Sequence, residues 1–436
     1  MTPFLATWLA VVLTAAAPSD TTVRTLTLHE AIALAEANAP GVIHALGQQR
    51  ATAADVRAAY GAFLPSISVS AGANRQLPVQ SGQTLVQNGQ VLTLSHEPWS
   101  YSDGVVANIG LFSGGSRLFA LRQAHALAAA ATVDVTEQRL LAELAVKQQY
   151  FDVLASLESE VAADAQLELA DRQLDLSILK LKARTVTRSD SLRSEILVQN
   201  GRLAAITART ALLQANASLT RLVGTDYPVT AAAGDSVDRS DFTPDEAALR
   251  EQSLDGPLVH AAESQLTAAR AEVRLQWAGY LPALTAGYSR TGNGSSGGFS
   301  PTGEDMAYSG QLRLAISMPI FDQFQRASLT TAAHAALDDA AATLRDTRLA
   351  ALESLAQSLG AYRSATERAA LQAATVEAAQ EDLREHQEQY KVGTSTMVDV
   401  LTSEAALVQA RHDLIQARYD RRIARAQLEA LIGRSL

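Results

Sequence analysis

The sequence predicts a mainly α-helical protein that also carries a membrane β-barrel and consists of two copies of one structural unit. Three observations support this fold class. Motifs of the first half recur in the same order in the second half. The stretch from residue 117 to about residue 183 contains neither proline nor glycine. Four shorter segments alternate between apolar and polar residues with the period of two that β-strands have.

The duplication is visible in matched segments. Residues 55–65 (DVRAAYGAFLP) correspond to residues 272–282 (EVRLQWAGYLP), and residues 189–224 correspond to residues 398–433. We therefore predict a first repeat at 18–224, a linker at 225–241 and a second repeat at 242–436.

Each repeat opens with a capping-box pattern, in which a Thr and a Glu three residues later satisfy the first backbone amides of a helix. The pairs are Thr27 with Glu30 and Thr243 with Glu246, and Pro244 is predicted at the first helical position. The order expected within each repeat is helix, two strands, very long helix, tight turn and long helix.

The long helices carry the spacing of a coiled coil. A helix over residues 117–183 would be about 100 Å long at 1.5 Å per residue. Leu140, Leu144, Phe151, Leu154 and Val161 keep heptad-like spacing in the first repeat. In the second repeat, Val400, Leu407, Leu414 and Leu428 fall in sevens, with Arg421 interrupting.

The four alternating segments, at about 66–73, 104–111, 283–288 and 307–318, predict strands of roughly ten residues, near the span of a tilted membrane strand. Alternation alone fits a soluble half-buried sheet equally well. Polar Gly-rich loops at about 76–98 and 291–305 favour the barrel, as do aromatic residues near strand ends, namely Trp99, Tyr101, Tyr288 and Tyr308. The four strands of one chain are too few to close a barrel, whereas three copies of the chain supply twelve strands.

The composition excludes several functional classes. The net charge of −10 offers no basic surface for nucleic acid, and the absence of cysteine removes disulfides and thiol catalysis. The histidines are scattered without a close pair, so we expect no catalytic residue, no metal and no cofactor. The Gly-rich residues 292–297 fit a dinucleotide pattern but lead into more Gly, Ser and Pro instead of a helix, so we reject nucleotide binding.

The first residues predict export. An apolar run over residues 4–17 ends in small residues, which predicts a signal peptide at 1–17, with cleavage after Ala16 as the alternative. Beyond it no apolar run of about 18 residues exists, so we expect no membrane-spanning helix.

Four segments together resemble the TolC-like outer-membrane efflux protein family over essentially the whole mature length. They are residues 26–40, Leu64-Pro65 with its repeat Leu281-Pro282, residues 111–117, and residues 390–401 (YKVGTSTMVDVL). The resemblance implies a homotrimer with a barrel in outer-membrane lipid and a helical tunnel in the periplasm. It also implies docking onto a periplasmic membrane-fusion adaptor that joins the tunnel to an inner-membrane efflux transporter. The chain would then be a passive exit duct for drugs or other small solutes, not an enzyme.

The resemblance also implies residue roles at the tunnel's tip. The expected pore constriction contains Tyr390, Asp399, Ser395, Thr402 and Asp190. The expected adaptor-docking tip contains Arg184, Thr185, Val392, Gly393 and Thr394. The chain departs from the family pattern where Ser395 replaces an arginine, Thr402 a second aspartate, and Arg184 the turn glycine of the first repeat.

Simpler interpretations of the same residues stay open. Asp190 and Asp399 each follow a Thr by three positions and could cap a helix. Gly393 suits a left-handed turn at a helix end, and Tyr390 could serve only to pack helices. At the level of function, a type I protein secretion duct is the alternative within the same class, and a periplasmic coiled-coil adaptor or scaffold is the alternative from another class.

Overall fold

A computed structural model describes residues 23–77, 84–87, 90–93, 98–184, 186–236, 244–300, 306–434 and 436. The predicted signal peptide lies outside the described residues. The fold divides into two compact units. One comprises the described parts of Met1–Ala45, Val135–Pro257 and Ala350–Leu436, and the other comprises those of Leu46–Asp134 and Leu258–Leu349.

The elements follow the predicted duplicated order. The first half contains β1 (Arg24–Leu26), α1 (Leu28–Asn38), α2 (Pro40–Gly61), β2 (Ser66–Arg75), β3 (Thr84–Gln87), β4 (Gln90–Thr93), β5 (Trp99–Ser113), α3 (Ser116–Lys182) and α4 (Arg188–Val223). The second half contains β6 (Val229–Ala231), a 3-10 turn (Ala233–Ser236), α5 (Glu246–Leu254), α6 (Pro257–Ala278), β7 (Ala283–Ser296), β8 (Ala307–Ser317), α7 (Gln325–Val392) and α8 (Met397–Ile432). Each predicted opening helix is therefore two helices.

One predicted helix start is confirmed and the other is wrong. The capping box at Thr27 is complete, since the Glu30 amide donates to the Thr27 hydroxyl and Glu30 in turn accepts from the Thr27 amide. Helix α5 begins after Asp245, whose carboxylate accepts the amides of the next helical turn. Pro244 therefore precedes the cap and is not the first helical residue, and Thr243 lies outside the described residues.

The first unit has a buried core around a short parallel pair of strands, β1 with β6. Tyr150 of α3 is fully buried there; its hydroxyl donates to Leu26 O at 3.0 Å and accepts from Ala232 N at 3.1 Å. Strand β6 lies within the segment predicted as a linker. Tyr150 thus links α3 both to β1 and to the residue that follows β6 in the segment between the repeats.

The coiled-coil prediction holds for α8 and partly for α3. The residues of α8 that fall in sevens are all buried, namely Val400, Leu407, Leu414 and Leu428. In α3, Leu154 is buried, but Val161 is 69% exposed. The heptad spacing in α3 therefore does not extend to Val161 within one chain.

The second unit contains a four-stranded antiparallel sheet in the order β2-β5-β7-β8. Strands β5 and β7 have 15 and 14 residues, which is longer than predicted. Strand β7 runs to Ser296, so the loop predicted from residue 291 begins later and Tyr288 lies in mid-strand. Residues 292–296 of the Gly-rich motif lie at the end of this strand, and the next element that the structure describes is strand β8. Strands β3 and β4 form a hairpin within the loop predicted at 76–98.

In the rows around Ala107 and Asn108, the sheet has one apolar face and one polar face. Across the four strands, Ile67 pairs with Ala107, Ala107 with Tyr288, and Tyr288 with Leu312. One residue away on the other face, the corresponding row is Ser66, Asn108, Gly287 and Arg313. Because side chains alternate along each strand, the two rows point in opposite directions.

None of the helices in the described part of the chain combines the length and the apolar character that a membrane span requires.

Candidate docking and gating site at the helix tips

The two long helical hairpins end in turns with one backbone geometry. The first tip, residues 182–188, joins α3 to α4, and the second tip, residues 391–397, joins α7 to α8. Arg184 and Gly393 occupy the same place in the two turns and are both left-handed, with φ of 60° and 82°. Each amide donates to the carbonyl three residues earlier, at 3.0 and 3.3 Å. The predicted positive φ at Gly393 is confirmed, and it recurs at an arginine.

Both tips lead into a capped helix. Thr187 and Thr396 are the N-caps, and their hydroxyls accept the amides of Asp190 and Asp399 at 3.2 and 3.3 Å. Each carboxylate accepts in return from the Thr hydroxyl, at 2.7 Å in both tips, and from the Thr amide, at 3.1 and 2.8 Å. The capping interpretation of both aspartates is therefore confirmed, and it leaves a further role open to each.

A longer polar network holds the second tip. Ser395 Oγ donates to Asp399 Oδ2 at 3.1 Å and lies 3.3 Å from His386 Nδ1. The other ring nitrogen of His386 lies 3.7 Å from Asp382 Oδ1, and buried Ser403 donates to Asp382 Oδ2 at 2.5 Å. The network joins the end of α7, the turn and the start of α8. In the first tip, Val186 stands where Ser395 does, so this link is missing.

The hydrogen bonds to Asp399 favour its charged form. The hydroxyl of Thr396 contributes most, followed by the Thr396 amide and the hydroxyl of Ser395, and together they hold the pKa of Asp399 below its usual value of 3.8. Asp399 is therefore a fixed negative charge at neutral pH. In this chain Ser395, not an arginine, contacts that charge directly.

The order Asp382, His386, Ser395 is that of a nucleophilic triad, but its geometry is not. The hydroxyl of Ser395 donates to Asp399, so its proton points away from His386. The distance of 3.7 Å between Asp382 and the ring exceeds the reach of a hydrogen bond. The described residues also contain no cluster of His, Asp and Glu that could hold a metal ion.

Tyr390 connects the two hairpins. Lys180 of α3 places its ammonium 5.0 Å from the centre of the Tyr390 ring at the end of α7, within the range of a cation–π contact. Burial raises the pKa of Tyr390, and the negative charge of Asp190 raises it further. Tyr390 therefore packs between helices and also lies near a charge of the first hairpin.

The predicted site residues are partly brought together. Tyr390 lies near Asp190, and Ser395 contacts Asp399, whereas Thr402 is exposed and donates only to the carbonyl one turn back, at 2.8 Å. In the docking set, Val392 is 76% exposed, and the amide and hydroxyl of Thr394 both donate to Gln389 O. Thr185 lies outside the described residues.

Four residues of the site were not predicted: Lys180, Asp382, His386 and Ser403. Asp382 and His386 are one helical turn apart, and this spacing could have indicated their contact. Lys180 and Ser403 contact residues on other helices, so no spacing within one helix could have predicted these contacts.

The sequence profile described as outer membrane efflux protein matches residues 31–225 and 249–434. The chain belongs to the outer membrane efflux protein family. It is 28% identical over 347 residues to protein CyaE of Bordetella pertussis, covering 78% of this chain and 70% of that one. It is 25% identical over 413 residues to outer membrane protein TolC of Vibrio cholerae, covering 92% and 89%.

The fold is that of solved outer-membrane channels. The MtrE outer membrane channel of Neisseria gonorrhoeae, in its open state, superposes with a TM-score of 0.75 over 94% of this chain and 89% of that one, at 19% identity. With the family match, the chain is an outer-membrane channel of the efflux and secretion class, with its helical part in the periplasm, which confirms the class and location expected from the sequence. The periplasmic adaptor alternative is set aside.

Proposed function

We propose that three copies of this chain form a passive exit duct for drugs or other small solutes. The twelve-stranded barrel lies in the outer membrane, and the helical hairpins line a periplasmic tunnel. The tips dock on a periplasmic membrane-fusion adaptor, which couples the duct to an inner-membrane efflux transporter. The transporter supplies the energy, and the duct has no catalytic activity of its own.

The observation that carries this proposal is the two-faced sheet. On the apolar face, large side chains of the outer strands β2 and β8 are 67–77% exposed; they are Ile67, Val69, Leu312, Leu314 and Ile316. Leaving such surface in water costs about 25 cal/mol per Å² relative to an apolar environment. The opposite face carries Ser, Asn, Gln and Arg. Lipid on one side and a water-filled lumen on the other suit this alternation.

The free edges of the sheet explain why more than one copy is needed. In the described part of the chain, β2 pairs only with β5 and β8 only with β7. Each therefore leaves one row of backbone groups unpaired, and every unpaired group in lipid costs several kcal/mol. Pairing β8 of one copy with β2 of the next satisfies both rows. Two copies would give eight strands and three would give twelve, and the resemblance to TolC-like ducts favours three.

The tips supply the docking and constriction functions in this proposal. A ring of three Asp399 carboxylates would favour cations, and proximity would raise the pKa of each member above that in a single chain. The Tyr390 side chain would narrow the same passage. Arg184, Val392, Gly393 and Thr394 lie at the turns, where an adaptor would make contact.

The test begins with protein extracted in detergent from outer membranes. Negative-stain electron microscopy and mass photometry should show a three-fold particle with the mass of three chains. Reconstituted channels should select cations, and Asp399→Asn should lower that selectivity. A monomer or a two-fold particle would refute the twelve-stranded barrel, and unchanged selectivity would remove Asp399 from the constriction.

A further inference from the structure

The first tip carries an unbalanced positive charge. Lys182, Arg184 and Arg188 are exposed, and residues 182–188 include no acidic residue. Among the described residues, none of the three side chains forms an ion pair. Asp190, the acidic residue nearest in sequence to Arg184 and Arg188, already accepts hydrogen bonds from Thr187 and lies 3.5 Å from another arginine. Lys182 complements the dipole at the C-terminal end of α3, but Arg184 and Arg188 have no acidic partner among the described residues.

The second tip does not share this charge. Its lysine, Lys391, is paired with Glu388 at 2.7 Å. The equivalents of Arg184 and Arg188 are Gly393 and Met397, and Met397 is buried. Because the left-handed residue and its amide hydrogen bond recur in both turns, the contrast in charge lies in the side chains.

The backbone conformation at Arg184 is one that glycine adopts with less strain than arginine. With φ of 60°, an L side chain is strained, whereas glycine adopts this conformation freely. Gly393 shows that the same turn is built with glycine in the second repeat. An arginine in a position that is strained for any L side chain points to a use of that side chain outside the fold.

We propose that the first tip is a docking surface for carboxylates, where Lys182, Arg184 and Arg188 bind an acidic turn of the periplasmic partner. The inference rests on the proposed function and gives the partner's chemistry at one of the two tips. A guanidinium binds a carboxylate through two parallel hydrogen bonds, which sets orientation as well as attraction. The second tip presents a glycine turn and Val392 instead, so each chain offers two chemically different contacts.

The probe is a pair of synthetic helical-hairpin peptides of equal length, one with three glutamates at its turn and one with three glutamines. Binding to the full chain in detergent is measured by biolayer interferometry. Each exposed ion pair contributes a factor of about two, so the glutamate peptide should bind roughly tenfold more tightly. The difference should be present at about 0.1 M salt and vanish at about 1 M, where charges are screened beyond roughly 3 Å.

Variants assign the effect to the first tip. Arg184→Gly adopts the backbone of the second tip without strain and should weaken binding of the glutamate peptide about twofold. Combining it with Lys182→Gln and Arg188→Gln should bring both peptides to equal affinity. Lys391→Gln, the matched control at the second tip, should change nothing. Equal binding of the two peptides to the unaltered protein, or an unaltered preference in the triple variant, would overturn the proposal.

Oligomeric mass and channel conductance are measured on the same samples. If the unaltered protein forms no trimeric channel, the proposed function fails whatever the peptides do. If only the triple variant loses its trimer, the three charges serve a neighbouring copy and the docking proposal is wrong. A triple variant that remains a conducting trimer and loses the preference for glutamate supports it.

Discussion

The contact between Lys180 and Tyr390 is the interaction by which the structure most directly predicts a change in gating. It joins the first hairpin to the second, close to both tips, with the ammonium 5.0 Å from the ring centre. A partly exposed cation–π contact contributes about 0.5–1 kcal/mol. Three copies in a trimer would then contribute roughly 1.5–3 kcal/mol, which corresponds to a shift of roughly ten- to hundredfold in a two-state opening equilibrium. Lys180→Gln and Tyr390→Leu should each favour separation of the tips by that amount.

Single-channel open probability in planar bilayers measures this shift. Tyr390→Phe retains the ring and should behave like the unaltered protein, and Lys182→Gln, which removes a neighbouring exposed lysine, is the matched control. If the contact between the two side chains carries both effects, Lys180→Gln combined with Tyr390→Leu should open the channel no more than the stronger single variant. If Tyr390→Phe opened the channel as much as Tyr390→Leu, or if the two single effects were additive, the cation–π explanation would be wrong.

Three further predictions concern the periplasmic helices. Tyr150→Phe should lower the free energy of unfolding by only about 1 kcal/mol, because Ala232 N keeps a second acceptor at 2.9 Å; faster hydrogen exchange at β1 and β6 would report it, and unchanged exchange would contradict it. Lys147 is partly buried between Glu143 and Glu429; burial lowers its pKa, but the two carboxylates outweigh burial and raise it. Lys147→Met should cost about 2 kcal/mol, because Glu429 keeps Arg425 as a partner. The denaturation midpoint measures this loss, and an unchanged midpoint would show that the carboxylates are solvated. Because the pKa of Asp399 is lowered in the folded chain, its stabilisation is complete above its ordinary value of 3.8 and lost as pH falls below it. Protection against hydrogen exchange at the second tip, measured relative to the intrinsic rate at each pH, should therefore fall in that acidic range. Asp399→Asn should remove this fall, and an equal fall in both proteins would exclude Asp399 as the titrating group.

Local signals predicted the features that local interactions determine. Helix α3 spans Ser116–Lys182, within one residue of the stretch predicted from the absence of Pro and Gly. The caps at Asp190 and Asp399 were recognisable because both partners lie within three residues of each other. In each case the stabilising contact and the sequence pattern involve the same few residues.

Features that depend on distant contacts were missed. Strands β1 and β6 have three residues each, too few to show alternation, and they are held by Tyr150, more than 120 residues after β1. Lys180 meets Tyr390 across 210 residues of sequence, and no periodicity within one helix indicates such a pair. The start of α5 was placed wrongly because Thr and Asp are both good caps and stand close together before that helix.

The left-handed residues show what the duplication has preserved. They occur in pairs that are 209 residues apart, namely Gly114 with Gln323, Gly115 with Phe324, Arg184 with Gly393, and Gly224 with Gly433. Only the last pair has kept glycine in both repeats. Each replacement costs roughly 1–2 kcal/mol, yet the backbone still turns at the same place, so the turns are fixed by the elements they connect and not by glycine itself. At each of the three positions without glycine, one repeat therefore carries a side chain that makes the turn less stable. This is why Arg184, rather than any glycine of the tips, points to the chemistry of a partner.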